Sequence, residues 1–264
     1  MGEAPRDPDT AGHAGGGTAD ALAALRAEGF ARLSPSGIAA LLGIELPRLD
    51  ELRPSWDRLP PDEYLRDGGR YRRRRHASYV LEMPDGRIQR PPRRAHWQPV
   101  DYNALHGGFE RWFEPIESTV EDSAAWTGAI VAFGRLFASL RPVERWFVEA
   151  HQFRIDTTGG IGRPTPEGAH RDGVDFVVIV LVGRENIRGG ESRVFEAHGP
   201  RGLRFTVTDP WSGLLIDDAR VIHETTPIQP LREGPGWRDT LVITYRADGF
   251  LSPEAPPAPT GSAT

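Results

Sequence analysis

The chain has 264 residues, a net charge of -5 and no cysteine, and all 32 of its basic residues are arginine. That length suffices for one domain with a substantial core, while the absence of cysteine excludes disulfides, thiolate metal ligands and a cysteine nucleophile. Acidic and basic residues alternate over most of the sequence, no apolar run is long enough for a membrane span, and the start Met1-Gly2-Glu3-Ala4-Pro5 lacks the features of a signal peptide. A cytoplasmic protein that binds neither nucleic acid nor membrane is expected.

Residues 1–19 and 250–264, rich in Gly, Ala and Pro, are expected to be disordered tails around a single domain over 20–249. Short helices are expected at 20–28 and 36–42, separated by an extended stretch at 30–33, with Ser34 or Ser36 capping the second. Residues 79–83 read as a strand and Pro84-Asp85-Gly86 as the turn after it. Just before them, the run Arg72–Arg75 with Tyr71, His76 and Tyr79 invites a nucleic-acid reading. One short run without an extended basic groove fits better with arginines divided between solvent and the wall of an anion-binding pocket. Trp97, Tyr102 and Trp112 read as packing groups around an entrance.

Apolar Trp126, Ile130, Phe133, Phe137 and Leu140 recur at helical spacing and predict a long helix over 121–140. Strands then follow at 147–156, 176–182, 192–196, 203–208, 213–216, 221–225 and 240–246. Short strands joined by turns such as Arg188-Gly189-Gly190 indicate an antiparallel barrel or sandwich with its core at about 147–247. No glycine-rich loop leads from a strand into a helix, so dinucleotide binding is unsupported.

The chemistry concentrates in His170-Arg171-Asp172, followed 51 residues after Asp172 by His223 and 15 later by Arg238. On an extended backbone His170 and Asp172 point to one face. Two imidazoles and a carboxylate are the protein ligands of a mononuclear non-haem iron site with open positions, although zinc accepts the same donors. Arg238 and Thr240 share a face and together could hold a carboxylate, which favours iron with a 2-oxoacid co-substrate. A surface salt bridge of Arg238 with Asp239 or Glu233 is the competing assignment.

The strings Arg72–Tyr79, Tyr102–Phe109, His151–Ile155, His170–Phe176, Asn186–Ser192, Asp217–His223, Thr225–Ile228 and Arg238–Thr244 resemble, in the right order, the bacterial 2-oxoglutarate/Fe(II) dioxygenases that include L-isoleucine 4-hydroxylase and related free-amino-acid hydroxylases. The resemblance spans about residues 70–247. It implies a mainly β double-stranded β-helix, a jelly-roll, cupin-like barrel, with flanking helices. It further implies Fe(II) held by His170, Asp172 and His223, 2-oxoglutarate held at its distal carboxylate by Arg238, and O2 as co-substrate. Hydroxylation of an aliphatic carbon of a free L-amino acid in specialised metabolism is the expected reaction, with succinate and CO2 released. Desaturation, cyclisation and a peptide or carrier-bound substrate use the same ligands. A non-enzymatic metal-binding jelly-roll is the remaining alternative.

An amino-acid substrate needs a donor for its carboxylate and an acceptor for its ammonium. Arg154 is the first choice as carboxylate donor, with Gln152 on the same strand face and Arg74 or Asn103 assisting; a structural ion pair is the competing role for Arg154. Glu191 is the candidate for the amine. Phe153 and Ile155, on the opposite face from Arg154, read as core. A monomer or homodimer is expected.

Overall fold

The computed structural model describes residues 13–14, 17–103 and 105–253. The expected tails therefore lie largely outside the described residues, except that 13–14 and 17–19 already belong to, or lead into, regular elements. The first half of the chain contains β1 (His13–Ala14), α1 (Thr18–Glu28), β2 (Phe30–Leu33), α2 (Pro35–Leu42), α3 (Leu46–Asp50), a 3-10 helix (Arg53–Arg58), β3 (Arg72–Glu82), β4 (Arg87–Gln89), α4 (Ser118–Glu121) and α5 (Ala124–Ala138). The second half is all strand: β5 (Arg145–Asp156), β6 (Phe176–Glu185), β7 (Ile187–Gly189), β8 (Glu191–Glu196), β9 (Gly202–Thr206), β10 (Gly213–Asp217), β11 (Val221–Thr225), β12 (Ile228–Pro230) and β13 (Trp237–Arg246).

Eight strands form one sheet in the order β1-β2-β10-β6-β13-β5-β3-β4, and β11-β8-β9 and β12-β7 form two smaller sheets. Apart from the parallel β1–β2 pair, every ladder is antiparallel. Val194 of β8 and Val221 of β11 pack with Val177, Leu214 and Ile216 of the large sheet, so the small sheet closes over its inner face. The result is a double-stranded β-helix.

The outer face of the large sheet carries the main core. Trp126, Ile130, Phe133 and Phe137 of α5 are buried against Tyr79, Trp146, Val148, Phe176, Val178 and Tyr245. Each such side chain contributes about 1.5–3 kcal/mol of burial free energy. The polar atoms on these rings are satisfied: Trp146 Nε1 donates to Gly134 O at 3.0 Å and Tyr245 Oη to Ile130 O at 2.9 Å. The helix expected over 121–140 is in fact two. It breaks at Asp122-Ser123, where the Ser123 side chain accepts the N–H of Trp126 at 3.2 Å and restarts the helix as an N-cap. Ser34 caps α2 in the same way.

The strand expected at 79–83 starts at Arg72 and pairs with β5 along its whole length. The arginine run therefore lies on a strand and alternates: Arg72 and Arg74 are buried inward, while Arg73 and Arg75 face outward.

Candidate active site

A cavity opens on the inner face of β3, β5, β6 and β13. On β13 the residues facing it are Arg238, Thr240, Val242 and Thr244. The ladder to β6 slips by one residue between Asp239 and Thr240, a bulge that leaves Arg238 and Thr240 on the same wall. On β5 the cavity-facing residues are Glu149, His151, Phe153 and Ile155.

The odd-numbered positions of β5 thus face the cavity, which reverses the expected assignment. Phe153 and Ile155 line the site, whereas Gln152 and Arg154 point to the other face. Gln152 is fully buried and donates to Ser55 Oγ at 2.7 Å. Arg154 is forked onto Asp239, at 2.8 and 2.7 Å, and reaches Asp57 at 2.8 Å. Trp237 stacks under its guanidinium. Glu191, at the start of β8, does not line the cavity either and pairs with Arg193 at 2.8 Å. Arg74 and Asn103 do line the cavity. Trp112 is 48% exposed rather than packed.

His170, Asp172 and His223 converge, with one ligand-type atom from each lying within 4.8 Å of the others. His170 and His223 are joined by an antiparallel bridge, N to O at 3.0 and 2.9 Å. Asp172 sits between the two rings, its oxygens 3.7 Å from each Nε2. His170 Nδ1 donates to Gly168 O at 2.9 Å, which fixes the ring with its Nε2 toward Asp172. Gly173 has φ 76°, and a Cβ there would come within 2.5 Å of the Tyr102 ring, so the turn after Asp172 requires glycine.

Charge around these three side chains is negative. Burial holds His223 neutral, and the neighbouring His170 adds to that effect. Burial also raises Asp172, and Asp218 is pushed up to about 6 by burial and then by the charge of Asp172. Glu167 adds a third carboxylate, 3.5 Å from His170 Nε2, and its Oε2 is buried without a hydrogen-bond partner. Such a site is built for a cation.

A second cluster, His76, His96, Glu149 and His151, meets the same distance criterion. Its chemistry differs. Glu149 accepts from His76 at 3.1 Å, His96 at 3.3 Å and Arg94 at 3.2 Å. Arg74 lies 2.8 Å from His151 Nδ1. A guanidinium can only donate, so Nδ1 is the acceptor, and burial keeps the ring neutral with its proton on Nε2. The carboxylate is saturated, one imidazole is locked as a donor, and arginines surround the group.

Arg238 is buried and pushed down to about 10 by burial and then by Arg184. Its Nε has no partner, and the neighbouring Asp239 is engaged by Arg154. Arg111, 2% exposed, is likewise pushed down to about 10 by burial and then by Arg72. Its Nη2 donates to Gln98 Oε1 at 2.9 Å, and Gln98 Nε2 in turn reaches Asp172 at 3.4 Å. Sequence reasoning missed Arg111, Gln98, Glu167 and the β5 histidine; only the parity of β5 carried a usable signal.

Residues 53–244 match the 2OG-Fe dioxygenase family. A solved bsmA homologue from Methylobium petroleophilum PM1 is 54% identical, with TM-score 0.86 over 90% of this chain and 96% of that one. IDO from Bacillus thuringiensis shares the fold at 15% identity and TM-score 0.69, over 88% of this chain and 96% of that one. The Fe(II)/α-ketoglutarate-dependent dioxygenase TqaL does so at 19% and 0.67, over 87% and 86%. Comparison with curated proteins finds no match. The barrel, the buried donor cluster and a family match over most of its length together show that this chain belongs to the 2OG-Fe dioxygenases, enzymes that use Fe(II), 2-oxoglutarate and O2.

Proposed function

We infer that His170, Asp172 and His223 hold the Fe(II), that Arg238 and Thr240 hold the distal carboxylate of 2-oxoglutarate, and that the enzyme hydroxylates an aliphatic carbon of a free L-amino acid. Bound together, iron and 2-oxoglutarate supply the oxidising power, with succinate and CO2 as co-products. The chain's own residues do the rest. His170 is locked as an Nε2 ligand by Gly168 O, and the Asp218 carboxylate holds the backbone of Asp172. Zinc would accept these donors too, but the family match favours iron.

The observation that carries the reading is Arg238, a buried guanidinium on the wall of the cavity that also holds the three donors, with an unpartnered Nε and no described carboxylate paired to it. A buried cation in that state calls for an anion from outside the chain. The competing pairing with Asp239 is answered by Arg154, which occupies that carboxylate. The second cluster supports no metal, because a cation there would meet a saturated carboxylate and a donor imidazole. Burial of the lining residues, rather than an open groove, favours a small-molecule substrate over a peptide.

The test is turnover. Anaerobically reconstituted Fe(II) enzyme is given 2-oxoglutarate, oxygen and a panel of free L-amino acids, and the products are read by mass spectrometry. Substrate-dependent succinate with a product heavier by one oxygen atom is expected. A product lighter by two hydrogens would replace hydroxylation by desaturation or cyclisation, and no coupled turnover would reject the free amino acid as substrate.

A further inference from the structure

Once Arg238 is assigned to 2-oxoglutarate, two charged side chains on the wall of this cavity still have a buried, unpartnered atom and no arginine–carboxylate ion pair among the described residues. The first is Arg111. It is 2% exposed, its Nε is unpartnered, and its one side-chain hydrogen bond is to the neutral amide of Gln98. Asp62, a buried carboxylate whose charge also acts on Arg111, is occupied by Arg72 at 2.7 Å with Arg74 at 3.8 Å. Glu149 is occupied by two histidines and Arg94. The second is Glu167, 11% exposed at its side chain, with Oε2 buried and unpartnered.

Both residues line the same cavity. They are not paired with each other, although the charge of Glu167 favours the charged form of Arg111. Each also adjoins the metal donors from its own side, Arg111 through Gln98 to Asp172 and Glu167 at His170. Glu167 is held in place by its loop. Thr165 Oγ1 donates to Thr225 O at 3.0 Å and accepts from Thr225 N at 3.1 Å, and prolines flank it at 164 and 166. A buried cation and a buried anion kept apart in one pocket are costly unless a ligand brings the two complementary charges.

We propose that Arg111 and Glu167 form a zwitterion clamp, Arg111 binding the carboxylate and Glu167 the ammonium group of an α-amino acid substrate. This rests on the reading of the cavity as a free-amino-acid site, and it moves carboxylate recognition from β5, where Arg154 is otherwise engaged, to the loop before α4. The clamp selects for a substrate with both head groups free, and it rejects peptides and carrier-bound acyl groups by leaving one of the two charges buried and unmet.

The test separates the clamp from the broader reading. Enzyme loaded with Fe(II) and 2-oxoglutarate and kept anaerobic is titrated with the twenty proteinogenic L-amino acids, then with the primary amide and the N-acetyl form of the tightest binder. The wild type is expected to bind at least one amino acid and to lose about ten- to hundredfold in affinity with either blocked form, the range for hydrogen bonds to charged groups. Arg111→Met should weaken amino-acid binding and abolish the preference for acid over amide, with Arg111→Lys restoring part of it. Glu167→Gln should abolish the preference for free amine over N-acetyl while keeping the preference for acid over amide. Should Arg111→Met fail to fold, Arg111→Lys and the wild-type analogue series decide the question. Amino-acid binding with both preferences intact in the variants overturns the clamp alone. A preference for free amine that persists in Glu167→Gln overturns its role in substrate binding. Binding of no amino acid overturns the clamp and the amino-acid reading together.

Discussion

The carboxylate of Asp218 accepts the backbone N–H of Asp172 at 2.9 Å, and with it those of Gly173 at 2.9 Å and Val174 at 3.2 Å. Asp218 is fully buried in the turn between β10 and β11, five residues before His223. From the turn that leads into the strand carrying His223, one side chain therefore fixes the backbone that presents Asp172. Asp218→Asn keeps the shape but removes one of the two carboxylate acceptors, so a backbone N–H loses its partner. Metal affinity should fall about ten- to hundredfold, as for other groups that orient ligands, with little change in secondary structure. Unchanged affinity in a metal titration would show that the turn does not position Asp172.

Arg238→Ala should separate 2-oxoglutarate from iron. Loss of a charge-assisted partner for the distal carboxylate should raise the 2-oxoglutarate concentration needed for half-maximal turnover about ten- to hundredfold. Fe(II) affinity, measured without 2-oxoglutarate, should hold. Equal loss of both would remove Arg238 from the co-substrate site.

Arg154→Ala should behave as a stability variant. Asp239 is 3% exposed and loses its forked partner, leaving an uncompensated buried carboxylate. A cost of about 3–5 kcal/mol is expected for breaking such a pair, visible in equilibrium denaturation. Native stability with an altered amino-acid preference would instead return Arg154 to the substrate site.

Much of this was legible in the sequence, and the exceptions have physical causes. The spacing of the two histidines and the aspartate marks them as side chains that the fold brings together, and the apolar period of α5 and the short β strands carry the barrel. The faces of β5 were not legible, because both are buried: Trp146, Val148 and Ala150 meet the helices, while His151, Phe153 and Ile155 meet the cavity. Alternation in such a strand gives parity without direction. Apolar Phe153 and Ile155 then looked like core, and Arg154 looked free for a ligand. Arg111 and Glu167 lie in loops, where no periodicity marks a buried charge; only the fold brings them to one cavity.

Acid should destabilise the metal-free protein through its buried imidazoles. Burial pushes His96 down to about 3, and it takes up a proton near its ordinary value of about 6.5 once unfolded. The native state therefore binds fewer protons in this window. The corresponding stability is complete above about pH 6.5 and declines as the pH falls toward the native value. Denaturant unfolding followed from pH 7 to 4.5 should show this decline, and His96→Gln should reduce the linked uptake by about one proton. An identical slope in the variant would place a proton on His96 in the native state.

The two histidine clusters make opposite predictions for iron, and an anaerobic Fe(II) titration of single-alanine variants decides between them. His170→Ala and His223→Ala should lose tight Fe(II) binding, while His96→Ala and His151→Ala should retain it at one ion per chain. Retention in the first pair with loss in the second would place the metal beside Glu149 and overturn the assignment of His170, Asp172 and His223.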